Sequence, residues 1–371
     1  MNDMHAAPTR HEDAPASGFE FTGAWREFLP IALTNLLLTI VTLGIYRFWA
    51  KARERRYLWS RTRFIDDRLE WTGTGLEMFI GFLLVMAMLV PIVLFLQFGV
   101  QALVLRGQFL IASIAILALY LGLFYLIGVA LFRALRYRLS RSYWHGIRGG
   151  SDEPGWAYGW SALWKYAAAG VTLGLLTPWT QTRLWNERWN AMSFGPYAFG
   201  ADADTKGLKT RWLMIYVAGF AAAILLTATS FMAVLGAAGT PNAGGTGLPV
   251  PQFTWTAFLG ILGFYLVIVI ASLAYYAAFF RKAIGSTRLA GLGFSFTART
   301  RDWLMLILGN IGLVVVTLGV GLIFLSYRNW AFAMRHLEAS GEIDLDALTQ
   351  SPTRAATDAE GLASAFDIGA L

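Results

Sequence analysis

The sequence predicts an all-α polytopic membrane protein. It comprises four spanning helices plus three repeated re-entrant or short-helix units with interfacial amphipathic helices, and it leaves room for short cytosolic β-strands. Three observations carry this. Of 371 residues, 56% are hydrophobic and only 14% charged, against about 25% charged in an ordinary soluble domain. Four stretches, 78–105, 109–132, 212–239 and 254–280, contain no Asp, Glu, Lys or Arg, and each exceeds the roughly 20 apolar residues a spanning helix needs. The triplet Thr-Leu-Gly closes an apolar segment three times, at 42–44, 172–174 and 317–319.

Taken in order, residues 1–17 hold Arg10, His11, Glu12 and Asp13 without an apolar core, which predicts a disordered cytosolic tail and no cleavable signal peptide. Residues 18–337 form one membrane domain. Its first unit, about 18–76, begins "GFEFTGAWREFLPIALTNLLLTIVTLG", and its third, 293–337, begins "GFSFTARTRDWLMLILGNIGLVVVTLG". Without a gap, 13 of these 27 positions are identical, among them Phe19/Phe294, Arg26/Arg301 and Asn35/Asn310. Matched Asn, Arg and Phe-x-Phe-Thr do not follow from shared apolarity alone. The middle unit, 146–206, is more diverged, but in the Thr-Leu-Gly register Trp49 falls on Trp179, Trp59 on Trp189 and Phe64 on Phe194. One arginine keeps its place in all three units, as Arg53, Arg183 and Arg328. Helix pairs at 77–132 and 212–280 separate the units. From 338 onward seven acids face one Arg354, which predicts an acidic, disordered C-terminal tail.

Charge decides the number of crossings, because Lys and Arg in short loops stay on the cytoplasmic side. Seven strict crossings divide the 30 basic residues into 13 and 17, with no bias either way. With four crossings, and three units that enter and leave on one face, Arg106 alone lies outside; the loop "TPNAGGTGLPVPQ" carries no charge. Four crossings, with both termini cytoplasmic, is therefore the expectation. Broken backbone at membrane depth must be sheltered by protein or by a wet cavity, so the units should pack against the spans.

After the first turn, Ile45, Phe48, Trp49 and Ala52 share a helical face, and Arg47, Lys51 and Arg55 form a second stripe. Such a helix suits the headgroup layer, with cations on phosphates. Lys51, Arg53, Arg55, Arg183 and Arg328 are thus candidate contacts to anionic lipid, although plain helix anchoring accounts for the same pattern. Asn35, Asn310, Gln97 and Gln101 are the polar side chains expected at membrane depth. "FEFTG" at 19–23 and "LEWTG" at 69–73 alternate like short strands and are expected to pair with each other, with "GFSFTA" as the counterpart in the third unit.

The run "FEFTG…NLLLTIVTLGIYRFWAKARERRYLWSRTRF", followed by "LEWTGTGLEMFIGFLL", resembles the YjgN-like bacterial inner-membrane proteins, a family classed as a domain of unknown function. The likeness covers nearly the whole chain and is most specific over 19–83. The middle unit departs from it, with Pro178 and Gln181 where the first has Phe48 and Lys51. The resemblance implies a multi-pass protein of a bacterial inner membrane and carries over no catalytic residue.

Chemistry is sparse. With no cysteine and four scattered histidines, neither thiol catalysis nor a metal site is expected. There is no phosphate-binding G-x-x-x-x-G-K-[ST] and no G-x-S-x-G nucleophile context. No cofactor and no nucleic-acid partner is expected, since topology accounts for the net charge of +7. The expected function is non-enzymatic: a basic cytosolic face engaging anionic headgroups of the bilayer or a protein partner. The alternative is a transporter or channel for a small solute, built from parallel repeats.

Overall fold

The structure, a computed structural model, describes residues 18–238, 255–345 and 347–354. The predicted tail 1–17, the 240–252 loop and the chain after 354 lie outside the described residues. Among the described residues four helices are long and apolar enough to cross a membrane: Gly75–Leu105, Phe109–Arg141, Leu208–Thr229 and Phe258–Gly285. They coincide with the four uncharged stretches. The first rod joins α3 (Gly75–Leu94) to α4 (Val100–Leu105) through a π-helical turn at Phe95–Gly99. Thr74 caps it by accepting the Glu77 N–H at 3.3 Å. It turns at Arg106–Gly107 into α5 (Phe109–Arg141). At the far end of that hairpin, Tyr137 donates to Glu77 at 2.9 Å and Arg141 meets the same carboxylate at 3.0 Å.

Three shorter helical hairpins stand beside the rods: α1 (Trp25–Val41) with α2 (Arg47–Ser60), α6 (Trp156–Val171) with α7 (Thr177–Asn190), and α10 (Thr300–Val316) with α11 (Leu325–His336). The long helices α8 (Leu208–Ala238) and α9 (Trp255–Gly285) lie between the second and third. Thr-Leu-Gly makes each hairpin turn, and the residue types explain it. The hydroxyls of Thr42, Thr172 and Thr317 donate back to the carbonyls of Leu38, Ala168 and Leu313, at 2.7, 3.0 and 2.6 Å. The same oxygens accept the N–H of Tyr46, Leu176 and Gly321 in the returning segment. One side chain thus satisfies groups at the end of one helix and the start of the next. Leu43, Leu173 and Leu318 have φ of 51°, 52° and 49°, and the glycines that follow have 91°, 85° and 94°. A leucine in this left-handed region costs roughly 1–2 kcal/mol, whereas glycine adopts it without strain.

The hairpins carry a sheet far larger than expected. Its strands are β1 (Phe19–Phe21), β2 (Thr62–Phe64), β3 (Asp67–Arg68), β4 (Glu70–Trp71), β5 (Ser142–Trp144), β6 (Ile147–Gly150), β7 (Ser193–Phe194), β8 (Tyr197–Ala201), β9 (Thr287–Leu289), β10 (Leu292–Phe296) and β11 (Leu337–Ser340). Strands β4 to β11 form one eight-stranded antiparallel ladder in sequence order, and β1–β2–β3 form a second sheet. The Leu69 N–H donates to Thr62 O at 2.9 Å, which ties the two together. The two sheets together curl until β1 comes up to β11, with Gly18 against Ala339. Register recurs around it: Phe19 faces Phe64, Gly149 faces Phe194 and Phe294 faces Ala339, each 45 positions apart.

Three expectations are revised here. The fold is mostly helical but not all-α. "FEFTG" and "LEWTG" do not pair with each other; β1 pairs with β2, and β4 with β5. Each expected strand lies at the end of a helix, so its partner is the strand at the end of the next helix, not the strand with matching letters. The chain also stays with the fold past 338. It forms β11, and Gln350 then accepts the Arg148 N–H at 3.2 Å and donates to Gly146 O at 3.1 Å. Of the acids that suggested a solvated tail, Glu338 lies in β11 and Glu342 and Asp344 just beyond it, while Asp346, Asp358, Glu360 and Asp367 lie outside the described residues; the strap runs to Arg354, whose N–H bonds Asp152 at 3.1 Å.

Candidate functional site

The second helix of each hairpin faces a common axis. Phe48 lies 5.5 and 5.2 Å from the rings of Phe79 and Phe82 of α3, and Phe48 and Ala52 are buried there. That contact turns the stripe Lys51–Arg55 inward. In turn, tryptophans fasten each hairpin to its neighbour. Trp59 Nε1 donates to Ser142 at 2.9 Å, Trp185 Nε1 to Thr287 at 3.2 Å and Trp330 Nε1 to Thr62 at 2.9 Å. Trp59 and Trp330 stack at 4.1 Å, which joins the first hairpin to the third.

Inside this ring is a chamber of about 710 Å³, within the range of small-molecule sites. Strand side chains such as Phe64, Trp144, Phe194 and Phe294 form one part of its wall, and residues of α2, α5, α7, α9, α10 and α11 form most of the rest. Lys51, Arg55, Arg138 and Arg188 line it against the single acid Glu54, with Lys51 and Glu54 3.9 Å apart. Arg55 is only 4% exposed and its guanidinium sits 5.0 Å from the Trp71 ring. A buried guanidinium is costly unless it is paired or stacked.

The structure divides the other predicted residues. Arg53 and Arg183 are exposed and Arg328 is half-buried; none of the three lines the chamber. Arg53 donates to Asn35 Oδ1 at 3.4 Å and to Tyr46 at 3.2 Å, while Arg328 Nε donates to Asn310 Oδ1 at 2.6 Å. Asn35, 3% exposed, also donates to Ala50 O at 3.2 Å, and Asn310 to Asn329 Oδ1 at 3.0 Å. These amides tie the two helices of their hairpins together, and Asn310 reaches the chamber wall as well. Gln97 lies in the π-helical turn and Gln101 in α4; both are exposed on the outside of their rod. The middle hairpin has Lys165 where the others have asparagine. Lys165 is 4% exposed and meets Glu187 Oε1 at 2.5 Å as well as Ser161.

Sequence reasoning missed Arg138, Arg188, Trp144 and Trp303 as wall residues. Arg188 is the neighbour of the aligned Trp189, and that alignment is the one signal in the sequence that points toward it.

Comparison with known proteins matches this architecture to membrane proteins without a known activity. The chain is 29% identical over 136 residues to inner membrane protein YjgN of Escherichia coli O157:H7, covering 37% of this chain and 31% of the relative. It is 36% identical over 69 residues to YjgN of Escherichia coli strain K12, covering 19% and 17%. It is 34% identical over 85 residues to YjgN of Salmonella typhimurium, covering 23% and 20%. The chain thus spans about a third or less of the curated relatives it matches. No solved structure matches. A family model matches residues 16–365, nearly the whole chain with its rods, hairpins and ladder, and the chain therefore belongs to the family of bacterial proteins of unknown function DUF898.

Proposed function

We propose that this is a non-enzymatic inner-membrane protein whose three hairpins are repeats of one unit that re-enter the cytoplasmic leaflet, and whose basic cytosolic face engages anionic lipid. The observation that carries the reading is the hairpin tips. Leu43, Leu173 and Leu318 are 94%, 83% and 94% exposed, and Val41, Val171 and Val316 are nearly as bare. Strained, uncovered leucines are stable where the surroundings are hydrocarbon, and each hairpin is too short to span. The basic ends of α5 and α9 lie on the side of the ladder, and Arg106 lies at the opposite end, which favours a cytosolic ladder.

Two measurements test this. An impermeant thiol reagent applied to whole cells labels an Arg106→Cys variant and leaves Arg56→Cys untouched; labelling of Arg56→Cys from outside refutes the topology. Native mass spectrometry should retain phosphatidylglycerol over phosphatidylethanolamine, with the preference weakened when Arg53→Gln, Arg183→Gln and Arg328→Gln are combined. An unchanged preference removes the lipid reading. The axial chamber favours a second reading, a small-solute transporter, which predicts flux in proteoliposomes that falls in Asn310→Ala.

A further inference from the structure

The half of the first rod that lies away from the ladder carries polarity that the chain does not satisfy. Gln97 and Gln101, one turn apart, are exposed, and neither amide has a hydrogen-bond partner among the described residues. Gln97 lies nine positions before Arg106. With Arg106 among the headgroups, that is about 13 Å along the axis at 1.5 Å per residue, deeper than the headgroup layer. Hydroxyls in another rod turn back on their own helix, as Thr227 and Thr229 do by donating to Ala223 O and Leu226 O at 2.8 and 2.9 Å. The two glutamines make no such bond. An amide left in hydrocarbon is costly, and polar side chains in spanning segments turn toward protein or a wet cavity. The backbone points the same way. Pro91 withholds an N–H from the ladder of α3, and the π-helical turn at Phe95–Gly99 departs from the regular helix again. Such breaks at membrane depth are sheltered by neighbouring protein, yet no residue from Phe95 to Leu105 is buried.

The amides say what covers this face. A glutamine side chain offers both donors and an acceptor, so an identical pair is its own complement. Two copies of one chain insert with the same orientation and set each residue at the same depth. A two-fold axis along the bilayer normal therefore brings Gln97 opposite its own counterpart, and Gln101 likewise. Isologous contact of this kind is the commonest form of self-association. An acyl chain offers no acceptor, and a headgroup does not reach the level of Gln97. We propose that the chain forms a two-fold dimer through this face of the first rod, with glutamine amides hydrogen-bonded from one copy to the other. The dimer requires only that the rods span; it is independent of the lipid reading above and of the side on which the ladder lies.

The test uses the full chain, which has no cysteine of its own. Leu105→Cys, one turn beyond Gln101 and 88% exposed, should give a disulfide-linked product of twice the 41.0 kDa chain in oxidised native membranes. Leu259→Cys, 61% exposed on α9, should give none. In proteoliposomes, Förster transfer between donor- and acceptor-labelled copies should fall as lipid dilutes them, which yields a dimer affinity. Gln97→Leu with Gln101→Leu keeps the rod apolar, so insertion survives, and should weaken that affinity roughly tenfold, as the loss of interhelical amide bonds implies. Gln97→Asn with Gln101→Asn, which keeps the amides, should retain part of it. Absence of transfer at high protein density overturns the proposal, and so does an affinity that Gln97→Leu with Gln101→Leu leaves unchanged. Crosslinking at Leu259→Cys in place of Leu105→Cys puts the contact on another face and overturns it. A Leu105→Cys product of any other mass assigns the face to a different protein and overturns it as well.

Discussion

The first and middle hairpins solve one physical problem in two ways. Each must hold a second helix against a first, and each closes on the same Thr-Leu-Gly turn. In the first, a neutral amide does this: Asn35 bridges to Ala50 O and accepts from Arg53, whose charge stays exposed. In the middle one, Lys165 is buried and pairs across to Glu187, and Thr180 donates to the Lys165 carbonyl at 3.2 Å. The amide carries no charge to desolvate. The ion pair does, and its attraction offsets that cost only while both partners remain. The difference teaches that hairpin geometry is set by the turn, while the cross-tie is free to vary in chemistry.

That comparison breaks most sharply at Glu187. Glu187→Gln leaves the Lys165 ammonium buried with the Ser161 hydroxyl, the Trp164 ring 4.8 Å away and a neutral amide, and no counter-charge from Glu187. A loss of about 3 kcal/mol is expected, at the low end for a broken buried pair because Glu187 itself is partly exposed. Thermal unfolding in detergent measures it. Lys165→Met with Glu187→Gln should recover most of the loss, since an apolar replacement of both partners is close to neutral. If the double variant is as unstable as Glu187→Gln alone, the ion-pair account fails.

A smaller effect separates the first hairpin from the third. Asn35→Ala removes two hydrogen bonds from a buried site and should cost roughly 1–3 kcal/mol. Asn310→Ala, at a half-buried position whose partners Arg328 and Asn329 can turn to solvent, should cost about half as much. Equal losses at both positions would mean that the two hairpins are held alike and that burial does not set the cost.

Legibility follows range along the chain. The four rods were readable because each is a local run of apolar letters, and their ends fall where the charges begin. The Thr-Leu-Gly junction was readable as a recurrence, but its cause, a hydroxyl serving two helices at once, appears only with the backbone around it. The ladder was largely hidden. Its strands are two to five residues long, glycine interrupts several of them as in β6 and β8, and their partners lie up to 90 positions apart, as for Phe199 with Leu289 across the α8–α9 pair, with β4 and β5 likewise paired across the first rods. The chamber was hidden for the same reason: Arg55, Arg138 and Arg188 sit on three helices, and nothing in the spacing of 55, 138 and 188 announces a shared wall. The stripe Lys51–Arg55 was legible as a stripe, but which way it faces is decided by the packing of Phe48 on α3.

The smallest expected effect lies at the ladder rim, where the first unit meets the turn of the second. His145, at φ of 52°, places a ring nitrogen 2.9 Å from Asp66 and another 3.8 Å from Asp67. The hydrogen bond from His145, aided by the charges of His145 and Arg63, holds the Asp66 carboxyl below the usual aspartate range. A depressed carboxyl contributes stability in full above the ordinary aspartate value of about 3.9 and loses it as pH falls through its lower folded value. The unfolding temperature of Asp66→Asn should therefore trail that of the parent by a small constant margin at neutral pH, and the margin should close on acidification below the normal carboxylate range. The matching turn of the third unit, with Ala290 at φ of 51° in place of His145, offers no imidazole, so the same pH scan on a variant there should show no such closing margin. A margin that widens toward acid would reverse the sign and place the linkage on another group.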